Sequence, residues 1–277
     1  MSASARSLHC RASQFAGALA LTLVAQATLA APDLPERLVK SNKLTFCSSM
    51  DSPPLAYFDE QQKPKGMSVD VAKYVAETLG GLKIDWRVMP FAGMVPALLA
   101  QQCDLVIDQL FDKPERREII NIVNYMYASQ SVVVPQGNPK GIDSLTALSG
   151  LKVAALNGST IRELLEAENE KLVAAGQKPM TIVVYNTDND AFQALRLQQV
   201  DAFGTTVETA GYYKNIVPGL FEEAVPAFSQ ILTGIGIRKD DSELTDAVKF
   251  AVADLLQSER YLAMLKTWNV EADKLDY

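Results

Sequence analysis

Apolar residues in this chain fall in short runs that alternate with stretches of helical spacing. Leu44 to Ser48 reads as a short apolar strand, and Ser68 caps a helix whose Val71, Val75 and Leu79 share one face. Gly80 and Gly81 end that helix, and Lys83 to Val88 is the next strand. Met94 to Gln101 is helical, Leu105 to Asp108 is a buried strand, and Tyr127 to Val134 is extended. Pro135, Gly137 and Pro139 punctuate the chain densely enough to mark a boundary. The alternation then restarts with a strand over Lys152 to Leu156, a turn at 157–160, a helix to Ala174 and a strand over Thr181 to Tyr185. A helix over Asp188 to Gln198, a strand over Ala202 to Gly204, a helix over Val207 to Lys214 and a strand near Phe221 to Val225 follow. Ile231 to Arg238 is again extended, and Ser242 to Gln257 and Glu259 to Trp268 are amphipathic helices. Two α/β units in series predict two lobes, each an open, mostly parallel sheet flanked by helices.

The first thirty residues carry a different pattern. Arg6 and Arg11 precede an apolar stretch from Phe15 to Leu29, and Thr28-Leu29-Ala30 supplies a small-residue cleavage site, so residues 1–30 are expected to be a secretory signal peptide. An uncleaved anchor is the competing reading, for which the stretch is short. Cys10 precedes the apolar stretch and so is not placed as a lipoprotein cysteine. Export to the periplasm is expected, leaving 247 of the 277 residues. The two arginines leave with no acid, which takes the formal charge from −7 to −9. An acidic chain with no basic run argues against nucleic acid as a partner. The single histidine, His9, lies in the leader. A mature chain without histidine excludes Ser-His-Asp and Cys-His nucleophiles and the usual zinc sites. Cys47 and Cys103 are expected as two buried thiols, because positions on neighbouring parallel strands are offset and the geometry of a disulfide is strict.

Chemistry concentrates between Phe91 and Tyr127. A helix starting Phe91-Ala92-Gly93 leads through Gln101-Gln102-Cys103-Asp104 into a strand ending at Asp108, and Pro114-Glu115-Arg116-Arg117 follows. A strand with a polar end, followed by a guanidinium, suits a carboxylate receptor at the carboxyl edge of an α/β sheet. In Asn157-Gly158-Ser159-Thr160 the amides of Ser159 and Thr160 open a helix and can receive an anion, while their hydroxyls can equally cap it.

The order of these elements resembles the periplasmic solute-binding proteins of amino-acid ABC transporters, the bacterial extracellular solute-binding proteins of family 3, from about Lys43 to Trp268. The resemblance implies a type II periplasmic-binding-protein-like fold with two hinge crossings, residues 31–134 plus 235–277 forming one lobe and 135–234 the other. It places Arg116 at the arginine that grips the ligand carboxylate, with Arg117 on the surface. Without the resemblance, Arg116 reads as one of the alternating surface charges of residues 113–118. It matches Ser159 and Thr160 to a turn that meets the same carboxylate from the second lobe. Phe91 and Tyr57 would line the cleft, or pack in the core instead. Ser49 and Ser52 would offer hydroxyls.

Three positions, Thr206, Asp108 and Phe111, depart from the family pattern, Phe111 like Asp108 standing at a strand end that usually offers small or hydroxyl residues. Thr206 stands where the family carries an aspartate for the ligand ammonium, and a hydroxyl cannot neutralise a desolvated cation. Asp108 replaces a small or hydroxyl residue; it could receive an ammonium or guanidinium, or cap its loop. Glu208 is expected to face solvent. The resemblance implies a monomeric receptor that delivers a small carboxylate-bearing or zwitterionic solute to a membrane ABC permease, with no catalytic residue, metal or cofactor. Two alternatives stay open: a cyclohexadienyl-dehydratase-like enzyme, for which Asp108 facing Arg116 is the supporting feature, and an accessory protein of a periplasmic quinoprotein dehydrogenase.

Overall fold

The computed structural model describes residues 32–276, so the expected signal peptide lies outside the described residues. In chain order the elements are α1 (Glu36–Ser41), β1 (Lys43–Ser48), β2 (Asp51–Ser52), β3 (Ala56–Phe58), β4 (Pro64–Lys65), α2 (Met67–Thr78), β5 (Lys83–Val88), α3 (Phe91–Leu99), β6 (Leu105–Val106), α4 (Pro114–Ile119) and β7 (Ile120–Pro135). After them come β8 (Lys152–Leu156), α5 (Thr160–Ala174), β9 (Thr181–Tyr185), α6 (Asp188–Arg196), β10 (Ala202–Thr206), α7 (Val207–Ile216), β11 (Phe221–Arg238), α8 (Ser242–Gln257) and α9 (Glu259–Trp268).

One sheet of order β5-β1-β6-β11-β7-β10-β8-β9 runs through the whole structure. At one end β1 is parallel to β5 and β6, and at the other β8 is parallel to β9 and β10. The centre is the antiparallel ribbon of β7 and β11. That ribbon contributes to the hydrophobic cores of both lobes. Val123, Tyr125, Ile235 and Ile237 pack in one core with Leu44, Phe46, Val71 and, on α8, Val248 and Leu255. Val132, Val134 and Val225 pack in the other with Val153, Ile161 and Leu165. Each lobe thus has a core built on the same pair of strands, and a third cluster around Phe91, Met94 and Ile122 takes in Leu156 of the second lobe.

The second lobe's parallel strands β8, β9 and β10 are each followed by a helix with a hydroxyl cap. Ser159 accepts from the Arg162 amide at the start of α5, Thr187 from Asp190 at α6, and Thr206 from Thr209 at α7. Each cap satisfies one of the amides a helix start leaves open. All three stand at the carboxyl edge of the second lobe, facing the first.

Four expectations need correction. Ser68 does not cap α2; the helix begins at Met67 after Gly66, and the Ser68 hydroxyl is buried against the Asp108 carbonyl and the Tyr125 hydroxyl. The runs near Phe221 and Ile231 are one strand, β11, because register shifts between Glu223 and Ile231 let the ladder continue past Pro226, which has no amide to donate. The short sheet β2-β3-β4 has no periodic signature. Cys47 and Cys103 form a disulfide, with Cα atoms 5.7 Å apart. Two cysteines that both stood on the ladder would be offset. Cys103 instead lies in the turn before β6, which folds it onto the face of β1 among Phe91, Met94 and Leu98.

The bridge closes a loop with a sequence separation of 56, for which chain entropy alone gives about 4 kcal/mol. Cys103→Ala is expected to lower urea-unfolding stability by about 2–4 kcal/mol. Equal midpoints for the variant and the oxidised wild type would show that the bridge adds nothing.

Candidate functional site

The carboxyl edges of the two parallel strand sets face each other across the β7/β11 ribbon, the place where α/β sheets present ligand-binding loops. The cavity there is lined from the first lobe by Ser52, Phe91, Gln109 and Phe111, and from the crossing strand by Gln130. From the second lobe come Leu156, Ser159, Thr160 and Ile161 at the start of α5, Asp188 at the start of α6, and Thr205 and Thr206 at the end of β10. Its volume is about 30 Å³, room for about two waters. A solute of amino-acid size enters only if the lobes part.

Contacts across the cleft hold the lobes close. The Asp188 amide donates to Asp51 Oδ2 at 2.5 Å, and Ser52 Oγ to Asp188 Oδ2 at 3.4 Å. Gln109 Nε2 donates to Thr206 Oγ1 and Glu208 Oε2, both at 2.9 Å, and Lys113 pairs with Glu163. Arg116 donates to the Phe111 carbonyl at 2.9 Å and to the Gly158 carbonyl at 3.3 Å, with its guanidinium 5.7 Å from the centre of the Phe91 ring. Gly158 has φ +74°, and a Cβ there would stand 3.2 Å from Ala92 Cβ. The turn thus needs glycine both for its backbone and for the approach of α3.

The expected site residues separate into groups. Phe91, Ser52, Ser159, Thr160 and Thr206 line the cavity. Arg116 stands behind its wall, on the carbonyl of Phe111. Tyr57 lies away from it, 5.5 Å from the Tyr212 ring and 6.2 Å from Trp268 by ring centres. Asp108 is fully buried, and its oxygens accept from Ser48 Oγ, the Ser49 amide and hydroxyl, and the Gln109 amide. These bonds hold the loop after β1. Thr206 Oγ1 is taken by Gln109 and by its own helix cap. Glu208 does not face solvent: it is buried, accepting from Gln109 and the Ser129 amide. Burial, and then the Glu208 charge, push Asp273 up to about 8.

Four lining or bordering residues carry no motif: Asp51, Gln109, Gln130 and Asp188. Gln130 carries no distinctive signal in the sequence, since its strand also holds Asn121, Asn124, Ser129 and Ser131. Its amide oxygen and nitrogen are both buried without a hydrogen-bond partner, as is the Thr160 hydroxyl. Unmade bonds of this kind are costly and point to a group that completes them. Asp51 is pushed up to about 6, by burial first and then by the charges of Asp108 and Asp190, against the lowering effect of the Asp188 and Asn189 amides. Burial, then Asp51 and Asp108, raise Asp188 well above the usual carboxylate range. Burial lowers Arg116 from its ordinary value.

A family model described as bacterial extracellular solute-binding proteins, family 3, matches residues 44–271. Arginine-binding protein ArgT of Corynebacterium glutamicum is 24% identical over 245 residues, 88% of this chain and 79% of that one. An ancestral arginine-binding protein solved with glutamine superposes with a TM-score of 0.74 at 31% identity, covering 83% of this chain and 99% of the other. The ancestral amino-acid-binding protein AncCDT-1, described as a precursor of cyclohexadienyl dehydratase, gives 0.76 at 25% identity over 84% and 97%.

The raised Asp51 carboxyl makes a prediction with a definite sign. Its folded pKa of about 6 exceeds the ordinary 3.8, so the folded state holds the extra proton between those values and gains stability as pH falls through 6. Asp51→Asn removes the charge and keeps an acceptor for the Asp188 amide. The variant is expected to melt above wild type at pH 7.5, with the gap closing by pH 5. A gap that widens toward pH 5 would contradict the placement of Asp51.

Proposed function

Because the chain belongs to family 3 of the bacterial extracellular solute-binding proteins, we propose that it is a periplasmic receptor whose lobes close on a small carboxylate-bearing solute, an amino acid or derivative, and present the closed form to a membrane ABC permease. The observation that carries this reading is the inter-lobe cavity with unpartnered polar atoms, Gln130 on the crossing strand and Thr160 on the second lobe. The two bodies divide along the ribbon, with Met126 in the first core and Val132 and Val134 in the second, and bend between them where β11 shifts register.

In this reading the carboxylate meets the start of α5. The first amides of a helix have no intrahelical partner, the helix dipole favours an anion there, and the Thr160 hydroxyl is free to donate. Arg116 supplies the opposing positive charge from behind Phe111, exchanging its carbonyl partners for the solute as the lobes part and reclose. Phe91 covers the aliphatic portion. Closure then joins two surfaces through one ligand, so the bound form is populated by the difference in affinity between closed and open states.

A catalytic reading has one supporting feature: a buried carboxyl raised well above its usual range in a cleft is suited to general-acid work. Its discriminating observation is turnover of prephenate.

Thermal melting of the purified protein against amino acids, polyamines, dicarboxylates and prephenate tests the receptor reading. A solute at 100 times its Kd stabilises by about 2.7 kcal/mol, and the hit is expected among carboxylates and to be released unchanged. Arg116→Ala is expected to weaken that hit at least about tenfold, since a charge-assisted bond contributes about 1.5–3 kcal/mol, with little change in the melting of the protein alone. Undiminished affinity in that variant would remove Arg116 from the site.

A further inference from the structure

A second cavity lies on the other side of the ribbon. Ser129 and Gln130 are neighbours on β7, so their side chains leave opposite faces of the sheet. Gln130 lines the inter-lobe cleft, whereas Ser129 lines a cavity of about 320 Å³. Its walls come from α7 of the second lobe, from β11, and from Trp268 of the first lobe and the 3₁₀ turn Glu271–Asp273 that follows it. Two carboxyls meet there, Glu208 at the start of α7 and Asp273 at the end of the turn, with a side-chain hydrogen bond between them.

Each carboxyl is fixed to a different lobe. Glu208 opens a helix whose Ala210 and Tyr213 pack with Ala154 and Phe203. Asp273 follows Val270, which packs in the first-lobe core with Leu265. The segment is held down beyond it as well: Lys274 bridges to Met126 on β7, and the Leu275 amide donates to Tyr261 Oη, which donates in turn to the Tyr125 carbonyl. Glu208 is also gripped by Gln109 Nε2 of the first lobe at 2.9 Å and by the Ser129 amide at 3.2 Å, both donating to it. When the lobes part, the contact of Glu208 with Asp273 has to break.

Two carboxylates in hydrogen-bond contact repel unless a proton lies between them. Among the described residues the lining of this cavity holds no lysine, arginine or histidine. Glu223 of β11 faces it as a third acid, accepting from Ser131 Oγ, and Lys214 of α7 lines a different cavity with Glu222 and Glu223. Lys274 pairs with Asp276 at 2.8 Å, and Glu271 is exposed. The phenols of Tyr212 on α7 and Tyr261 on α9 are pushed up by burial and carry no charge.

We propose that Glu208 and Asp273 form a proton-operated latch between the lobes: Asp273 donates the shared proton to Glu208 and so ties the start of α7 to the C-terminal turn of the first lobe, and loss of that proton frees the lobes to part. The latch stands apart from the cleft, so it sets how readily the lobes open whatever the cleft holds. Burial, and then Glu208, raise Asp273 to about 8 in the closed arrangement, against an ordinary 3.8. The latched form therefore holds an extra proton between those values. Opening is favoured as pH rises through that range, and the effect levels off above about 8.

Single-molecule energy transfer between dyes on one exposed residue of each lobe, attached through Glu60→Cys and Glu170→Cys, reads the open-to-closed ratio without added solute. With Asp273 in place the ratio is expected to rise about tenfold from pH 7 to pH 9. Asp273→Asn keeps a donor to Glu208 at every pH and is expected to hold its pH 7 ratio to within about twofold at pH 9; the comparison separates the latch from the cleft carboxyls, which both proteins share. Should that variant fail to fold, Asp273→Ala is expected to be as open at pH 7 as the wild-type latch is at pH 9, with no further rise. A ratio that does not change with pH while Asp273 is present overturns the latch, and so does a folded variant that keeps the tenfold response.

Discussion

The pairing of β7 with β11 is shifted in register four times yet continues from Ile120 opposite Arg238 to Phe221 opposite Pro135. Because each lobe builds its parallel strands outward from this one ribbon, their carboxyl edges are brought face to face and the loops that leave them converge. Three of the four shifts fall between Glu223 and Ile231, around Pro226. A bulged strand bends locally without losing the ladder on either side. The ribbon thus joins the two cores and supplies the place where they can move relative to each other. Gln130 lies opposite Phe228 within that stretch, which puts its amide at the floor of the cleft.

Closure is then a matter of what the two edges present. Hydrogen bonds such as those of Gln109 with Thr206 and of Arg116 with the Gly158 carbonyl favour the closed form with or without a solute. The Asp51 and Asp188 carboxyls oppose it as long as both are charged. A binding protein needs a small balance of this kind, since a ligand shifts an equilibrium only by its differential affinity for the two states. Excess attraction would close the cleft permanently, and excess repulsion would leave no solute able to close it. The small cavity and the unmade bonds of Gln130 and Thr160 mark the inter-lobe surface as polar.

Much of the architecture was legible because it rests on local periodicity. The alternation of apolar runs with helical spacing predicted β5, β8, β9, α8 and α9 at their observed bounds, and the Asn157-Gly158 turn at the junction of β8 and α5. Where local pattern misled, a long-range contact was responsible. Ser68 looks like a cap until Tyr125 and the Asp108 carbonyl claim its hydroxyl. Glu208 looks solvent-facing until Gln109 and Ser129 arrive from the other lobe and the crossing strand. Cys47 and Cys103 look offset until the turn before β6 lifts Cys103 off the ladder.

Periodicity and composition suffice for the two-unit α/β organisation and for the absence of histidine from residues 31–277, and the resemblance to the family suffices to bring Phe91, Ser52, Ser159 and Thr160 together, which line the cavity between the lobes. They do not say which acids meet at the cleft. Asp51 and Asp188 are separated by most of two lobes along the chain, and each alone reads as an ordinary polar residue in a loop or at a helix start. Their meeting depends on the closed arrangement of the lobes, and burial, which gives them their unusual proton affinity, is a property of that arrangement and not of either residue's neighbours along the chain.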